Sequence, residues 1–147
     1  MDYMRLAIEE ARIAAAEGEI PVGAVLVKDN QVIAKAHNRR EADHDPTAHA
    51  ELLCMREGAR HLGDWRLRGC TLYVTLEPCP MCAGAMVMSQ LGRCIYGAAD
   101  EKQGCCGSVY DLPGDPALAA ATTWQSGVMA EECGALMRTF FAGRRNG

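Results

Sequence analysis

The stretch CTLYVTLEPCPMC, residues 70–82, joins an apolar segment directly to a Cys-x-x-Cys pair. Leu72, Val74 and Leu76 are apolar and suited to a pleated surface, so residues 70–76 predict a buried strand. Small and apolar residues follow, and residues 78–91 predict a buried helix that ends at Gly92. A strand that continues into a helix is the building unit of an α/β domain.

The sequence before this stretch continues the alternation of helices and strands. Apolar residues near helical spacing predict a first helix over residues 3–17, which ends at Gly18. Apolar runs over residues 22–27 and 31–36 flank the turn pair Asp29-Asn30. This pattern predicts a β-hairpin between the first helix and the next one.

Asp45 and Pro46 predict the start of a second long helix. Asp45 is expected to be the N-cap, and Pro46 the first helical residue, where no backbone N–H is needed. Residues 48–62 continue this helix. The other predicted elements are a strand over 94–96, a loop over 98–115, one helical turn over 116–121, a strand over 122–125 and a helix over 128–141. The order of elements indicates an α/β fold in which the later strands are parallel.

Length and composition narrow the class of protein. The chain has 147 residues, 49% hydrophobic and 23% charged, which predicts one globular domain over residues 1–147. The formal net charge is −4, so a generic nucleic-acid coat protein is not expected. The first residues lack the apolar core of a signal peptide, and no apolar run is long enough to span a membrane. We therefore expect a cytoplasmic protein whose eight cysteines are thiols.

Two short segments carry residues suited to metal chemistry. Cys79 and Cys82 form a Cys-x-x-Cys pair at a predicted helix start, where the helix dipole favours thiolates. His49 can supply a third, neutral ligand, and three protein ligands leave a fourth zinc position for water. Glu51 can then carry protons in a hydrolytic deamination. On a regular helix His49 and Glu51 would point in opposite directions, so we expect the site at the helix end.

Other interpretations of these segments exist. A Cys-x-x-Cys pair in a chain without an export signal can be a redox motif, or two buried thiols without a function. A single histidine before a helix can be a cap or a packing residue. The combination of His49, Glu51, Cys79 and Cys82 favours one catalytic zinc ion over these alternatives.

The pattern His-x-Glu followed by Pro-Cys-x-x-Cys resembles the cytidine deaminase superfamily. More narrowly, the chain is similar to the bacterial tRNA adenosine deaminases from about residue 19 to 144. The resemblance is dense over residues 21–25, 44–51, 71–86 and 104–108. It implies a three-layer α/β/α fold with a mixed five-stranded sheet, a homodimer, and hydrolysis of adenosine to inosine at the first anticodon position of a tRNA.

The resemblance also implies roles for individual residues. His49, Cys79 and Cys82 match the zinc ligands, and Glu51 matches the proton shuttle. Asn38 matches an asparagine that hydrogen-bonds the flipped base. The last correspondence is Asp100, which matches a residue near the neighbouring nucleotide.

Three positions depart from the pattern of the relatives. Ala99 stands where relatives often carry Arg, and this change weakens the expected phosphate contact. Cys105 and Cys106 replace a pair that is commonly Ala-Ala, and we interpret them as small buried residues rather than a second metal site. Met88 stands where some relatives have His.

The substrate is less clearly encoded than the metal site. Residues 134–147 contain Arg138, Arg144 and Arg145 and no acidic residue, so this segment carries a charge of +3. These arginines can contact RNA phosphates, or they can interact with the C-terminal end of a helix dipole. Two alternatives to a tRNA deaminase stay open: a deaminase of a free base or nucleoside, such as guanine or cytosine, and a non-enzymatic zinc or redox module.

Overall fold

Four helices and five strands make up the fold, in a computed structural model that describes residues 2–145. None of the helices in this part of the chain has the length and apolar composition needed to cross a membrane. In chain order the elements are α1 (Tyr3–Ala16), β1 (Gly23–Lys28), β2 (Gln31–His37), α2 (Ala50–Leu62), β3 (Cys70–Leu76), α3 (Pro80–Met88), β4 (Arg93–Ala98), a 3₁₀ turn (Pro116–Leu118), β5 (Thr123–Gln125) and α4 (Ala130–Arg145).

All five described strands form one mixed sheet in the order β2-β1-β3-β4-β5. β1 is antiparallel to β2 and to β3, whereas β3, β4 and β5 are parallel to one another. The β1–β2 hairpin turns at Asp29 and Asn30, whose φ angles are +51° and +60°. Two consecutive positive φ angles are typical of the turn that matches strand twist in a two-residue hairpin. The predicted hairpin and the parallel later strands are confirmed.

Helices cover both faces of the sheet. Along β1, Ala24 and Leu26 pack into a core with α2 and α3, whereas Val25 and Val27 pack into a second core with α1 and α4. This alternation follows from the two-residue period of a strand, and it explains why β1 is apolar from Gly23 to Val27. The expected α/β/α layering around a mixed five-stranded sheet is confirmed.

The predicted start of α2 is wrong. The Asp45 carboxylate accepts hydrogen bonds from the backbone N–H and the hydroxyl of Thr47, at 2.8 Å and 2.7 Å. These bonds hold a local turn, so the helix begins only at Ala50, with His49 as its N-cap. Asp45 is therefore not the helix cap, because its side chain satisfies a turn that precedes the helix.

Two further helices differ from their predicted bounds. The helix predicted over 78–91 is shorter: Ser89 is the C-cap of α3, and Gln90 has a φ of +60°, so the helix stops before Gly92. The helix predicted over 128–141 begins two residues later, after Met129 with a φ of +55°, and extends to residue 145. A positive φ interrupts helical geometry at both places.

Candidate active site

The N-termini of α2 and α3 meet at the candidate site. His49 is the N-cap of α2, with an extended backbone at φ −79° and ψ 148°. Cys79 is the N-cap of α3, with φ −75° and ψ 175°, and Pro80 occupies the first turn. The unpaired N–H groups and positive dipole ends of both helices therefore lie beside these two side chains. Such a position favours thiolate and other anionic groups.

Three donor atoms are arranged as a zinc ion requires. The His49 Nδ1 atom lies 3.6 Å from the Sγ atom of Cys79 and 3.6 Å from that of Cys82. With zinc–sulfur and zinc–nitrogen distances of about 2.3 Å and 2.1 Å, tetrahedral geometry separates such donors by about 3.6 Å. Within residues 2–145, this is the one group of three or more His, Cys, Asp or Glu side chains close enough to share a metal ion. The donor set fits zinc.

The two thiols of the pair differ in acidity. A hydrogen bond from Cys82, with a further contribution from His49, lowers the pKa of Cys79 to about 4. The same hydrogen bond, together with burial, raises the pKa of Cys82. The lowered pKa of Cys79 favours the thiolate, which is the form in which cysteine binds a metal ion.

Glu51 lies beside the donor atoms although it is only two residues from His49. His49 precedes the helix with an extended backbone, whereas Glu51 lies in the first turn of α2. The opposition expected on a regular helix therefore does not arise, and the predicted position at the helix end is what the chain adopts. The Glu51 side chain is buried, and burial, with a further contribution from the charge of Cys79, raises its pKa to about 7. A carboxyl group with this pKa can both accept and donate a proton at neutral pH.

A cavity of about 280 Å³ opens onto these residues. Its lining includes His49, Glu51, Cys79 and both residues expected near the substrate, Asn38 and Asp100. Cys82 lies behind this lining and is fully buried. The six predicted site residues are thus brought together at one place by segments from four parts of the chain.

Backbone contacts fix both expected substrate residues. The Asn38 amide donates to the Ile20 carbonyl at 3.3 Å, and its oxygen accepts from the Arg40 N–H at 3.2 Å. The Asp100 carboxylate accepts from the backbone N–H groups of Lys102 and Gln103, at 3.0 Å and 3.2 Å. Both side chains therefore have a defined orientation in the protein alone.

Two buried glutamates were not identified from the sequence. Glu19 accepts backbone N–H bonds from Glu41 and Ala42 and so holds the loop after Asn38. Glu77 holds the loop that contains Asp100 in the same way. One signal was available for Glu77, because an acidic residue between a buried strand and a buried helix is unusual. These glutamates hold the two loops on either side of the cavity.

Other residues of the cavity were also missed. Phe141 is 41% exposed and lines the cavity together with Met137. Arg40 and Lys102 add positive charge to the same lining. An exposed aromatic ring next to cations is suited to a nucleotide, which presents a flat base and a phosphate. The aromatic residue was missed because its position depends on how α4 packs, not on any local pattern.

The structure also locates the residues that depart from the pattern of the relatives and two arginines of the basic segment 134–147. Cys105 and Cys106 are buried, as predicted, and Ala99 and Met88 are exposed. Arg138 pairs with Glu131 at 2.8 Å, and Arg144 donates to the Gly18 carbonyl at 2.7 Å. The side chain of residue 145 and residues 146–147 lie outside the described part of the chain.

Known proteins resemble this chain along most of its length. The family model of the cytidine and deoxycytidylate deaminase zinc-binding region matches residues 1–98. The tRNA-specific adenosine deaminase of Bacillus subtilis is 49% identical over 139 residues, covering 95% of this chain and 86% of the relative. The protein of the same description from Aquifex aeolicus is 43% identical over 144 residues, covering 98% and 95%.

Solved structures of deaminases also resemble this chain. A chain from a study of A-to-I editing by tRNA:A34 deaminases at the wobble position of transfer RNA superposes with a TM-score of 0.88. It is 42% identical, and the match covers 91% of this chain and 97% of that one. A guanine deaminase from Bacillus subtilis is 30% identical with a TM-score of 0.66, covering 99% and 92%. The chain therefore belongs to the cytidine and deoxycytidylate deaminase zinc-binding family, in the branch of the tRNA-specific adenosine deaminases.

Proposed function

We propose that this protein hydrolyses adenosine to inosine at the wobble position, the first anticodon position, of a tRNA. The observation that carries the proposal is the cavity in which the buried Glu51 lies beside the donors of His49, Cys79 and Cys82. The 49% identity to a tRNA-specific adenosine deaminase supports the choice of substrate.

His49, Cys79 and Cys82 would hold one zinc ion per chain. The separations between their donor atoms agree with tetrahedral coordination, and the lowered pKa of Cys79 favours a thiolate ligand. Zinc bound there would act as a Lewis acid and lower the pKa of a water molecule to about 7. Cys54 is buried too, but it lies outside the group of donors.

Glu51 is the residue that moves protons. Its carboxylate takes a proton from the attacking water and delivers it to N1 of the purine ring, while the water oxygen bonds to C6. The remaining hydroxyl proton passes through the same carboxyl group to the 6-amino nitrogen, which leaves as ammonia. Adenosine and water are thus converted to inosine and ammonia. A pKa near 7 allows Glu51 to perform both transfers at neutral pH.

The cavity is suited to one base and not to a paired strand. Its volume of about 280 Å³ is at the small end of ligand pockets. An unpaired anticodon base can be flipped into such a pocket at a cost of about a few kcal/mol. Asn38 is proposed to hydrogen-bond the flipped base, and Asp100 to lie next to the neighbouring nucleotide.

A groove beside the cavity is suited to the RNA backbone. Lys102, Met137 and Phe141 line both the cavity and this groove, and Arg138 and Arg144 line the groove. Cations along a groove attract phosphates without reading the sequence. We propose that nucleotides flanking the wobble position lie here. A tRNA substrate would also place the protein in the cytoplasm.

The protein is proposed to form a homodimer through the outer face of α2 and α3. Trp65, in the loop after α2, is 55% exposed, and Met88, the last residue of α3, is 76% exposed. Leu52, Met55 and Ala85 line a shallow depression beside Trp65. An exposed apolar patch of this kind marks an interaction surface, and soluble homo-oligomers are most often twofold dimers.

A free-base deaminase is the second candidate function. The 30% identity to a guanine deaminase, over almost the whole chain, is the observation that favours it. The same donors and the same Glu51 would serve that reaction, so the mechanism alone does not separate the two candidates. The substrate must be tested directly.

A panel of substrates analysed by mass spectrometry separates the candidates. It contains an anticodon stem-loop with adenosine at the first position, the same loop with that adenosine moved by one position, free adenosine, guanine and cytosine. We expect inosine only in the first stem-loop. Conversion of a free base with the stem-loop unchanged would contradict the tRNA function and support the second candidate.

A further inference from the structure

Glu77 is the centre of a hydrogen-bond network that spans the loop after β4. One carboxylate oxygen, Oε1, accepts from the backbone N–H of Asp100 at 3.0 Å and from the Ser108 hydroxyl. The other oxygen, Oε2, accepts from the backbone N–H groups of Cys106 and Ser108, both at 3.0 Å. One side chain thus holds both ends of the segment 100–108.

Glu77 is buried, so its carboxylate depends on this network for its polar partners. The residue is 2% exposed, and within residues 2–145 no ion pair joins it to a cation. A buried carboxylate without a cation is costly unless hydrogen bonds replace the lost water. Here four hydrogen-bond donors replace that water, and all four belong to the segment 100–108.

The loop is closely fitted to the carboxyl group. Gly104 has its α-carbon so near Glu77 that a Cβ atom at this position would overlap the carboxyl group. The Gly104 carbonyl accepts the N–H of Val109 at 2.9 Å, and the Cys105 N–H donates to the Pro78 carbonyl at 2.9 Å. The segment therefore wraps around Glu77 and is joined to the residue before Cys79.

The same loop forms one wall of the cavity. Asp100 and Lys102 line it, and the Asp100 carboxylate accepts the N–H of Lys102. The N–H of Asp100 in turn donates to Glu77. A continuous series of hydrogen bonds thus runs from the buried carboxylate to the two charged residues that face the substrate space.

We infer that Glu77 is a positioning residue for substrate binding, which acts by fixing the loop that presents Asp100 to the nucleotide next to the reacting base. The inference rests on the proposed function for the identity of the substrate. It assigns Glu77 no contact with the reacting atoms. Its effect belongs to recognition of the substrate, and zinc binding and proton transfer do not depend on it.

A double-mutant cycle tests this inference. Glu77→Gln keeps the size of the side chain but places an amide N–H₂ against backbone donors. Asp100→Ala should lower kcat/KM on the stem-loop about tenfold in the wild-type protein, mainly through KM. In the Glu77→Gln background the same substitution should cost less than about twofold, because the loop no longer presents Asp100. Residues that act through one another are not additive.

Asp111→Asn is the matched control. Asp111 also accepts a backbone N–H, from Gly114, and the Trp124 indole N–H, each at 2.9 Å, but it does not line the cavity. Its substitution should lower the melting temperature and leave the cost of Asp100→Ala at about tenfold. The zinc content of both variants should equal that of the wild-type protein.

Ser108→Ala is a second variant that tests the inference if Glu77→Gln does not fold. It removes one of the four donors and should show a smaller non-additivity with Asp100→Ala, in the same direction. Additive effects in both cycles, or an Asp100→Ala variant with wild-type kcat/KM, would overturn the inference. A wild-type protein that leaves the stem-loop unchanged would instead contradict the proposed function.

Discussion

At the level of single residues, the extended backbone of His49 allows His49 and Glu51 to take part in the same site. A helical His49 would point away from Glu51, because residues two positions apart lie on opposite sides of a helix. As the N-cap it is free of that constraint, and Cys79 has the same position on α3. The candidate metal ligands and Glu51 come together because α2 and α3 begin at the same place in the fold.

Cys82→Ala should remove zinc from the protein. Cys82 is one of three proposed ligands, so its loss should reduce zinc from about one ion per chain to a small fraction. Stability should also fall, because metal binding is coupled to folding. The measurement is zinc content by elemental analysis after dialysis, together with the melting temperature.

Cys54→Ala is the control for this experiment. Cys54 is a fully buried thiol on α2, and its Sγ atom donates to the Ala34 carbonyl at 3.5 Å. This variant should lose stability and keep its zinc. An unchanged zinc content in Cys82→Ala would show that Cys82 is not a ligand.

The sequence predicted the residues that carry a chemical signature, and the structure brings them together. His49, Glu51, Cys79 and Cys82 have local spacings that such chemistry requires, and the zinc cofactor is confirmed by the family. The roles of these residues stay predictions. Glu77 was not identified, because its partners Cys106 and Ser108 lie 29 and 31 residues away. No local pattern encodes a contact of that range.

At the scale of elements, the distance between α1 and β1 is set by one glycine. A Cβ atom at Gly23 would overlap the backbone of α1 at Ala7. The helix therefore lies directly on the strand, and any larger residue at position 23 must push it away. This close approach belongs to the packing of the two elements and not to the turn chemistry of glycine.

Gly23→Ala should destabilise the protein by about 1–3 kcal/mol, the usual cost of overpacking a core. At about 2–4 °C per kcal/mol for a chain of this size, the melting temperature should fall by about 2–12 °C. Gly143→Ala is the control, because a Cβ there meets no atom within 4 Å. It should leave the melting temperature unchanged or raise it slightly. Equal effects of the two substitutions would contradict this packing.

Element types were predicted better than element ends. Strand and helix types depend on periodic patterns, which the sequence contains. The ends depend on competition between nearby polar groups. At Asp45 the side chain caps a turn at Thr47 and not the helix, and α2 begins five residues later. Propensity alone does not determine which of the two caps forms.

At the level of the whole molecule, the proposed dimer interface is the apolar patch formed by Trp65, Met88 and the depression between α2 and α3. Met88→Glu places a charge in this patch and should convert a dimer to a monomer. Ile13→Glu is the control, because Ile13 is 44% exposed on α1, in the opposite layer of the fold. It should leave the dimer intact. The measurement is sedimentation velocity at micromolar concentration.

A monomeric wild-type protein, or a Met88→Glu variant that stays dimeric, would contradict this interface. Homodimerisation was expected from the resemblance alone, and composition gave no sign of it. The patch becomes visible only when α2 and α3 are packed against the sheet. Trp65 and Met88 are 23 residues apart in the sequence, and a surface formed by separate elements is a property of the folded molecule.

Inosine formation by Glu51→Gln on the intact anticodon stem-loop is the most direct test of the proposed mechanism. The substitution keeps the size of the side chain and removes its ability to move a proton. We expect the zinc content of the wild-type protein and a turnover about 10²–10⁴-fold lower. Wild-type turnover with normal zinc content would contradict the proposed role of Glu51 and the mechanism built on it.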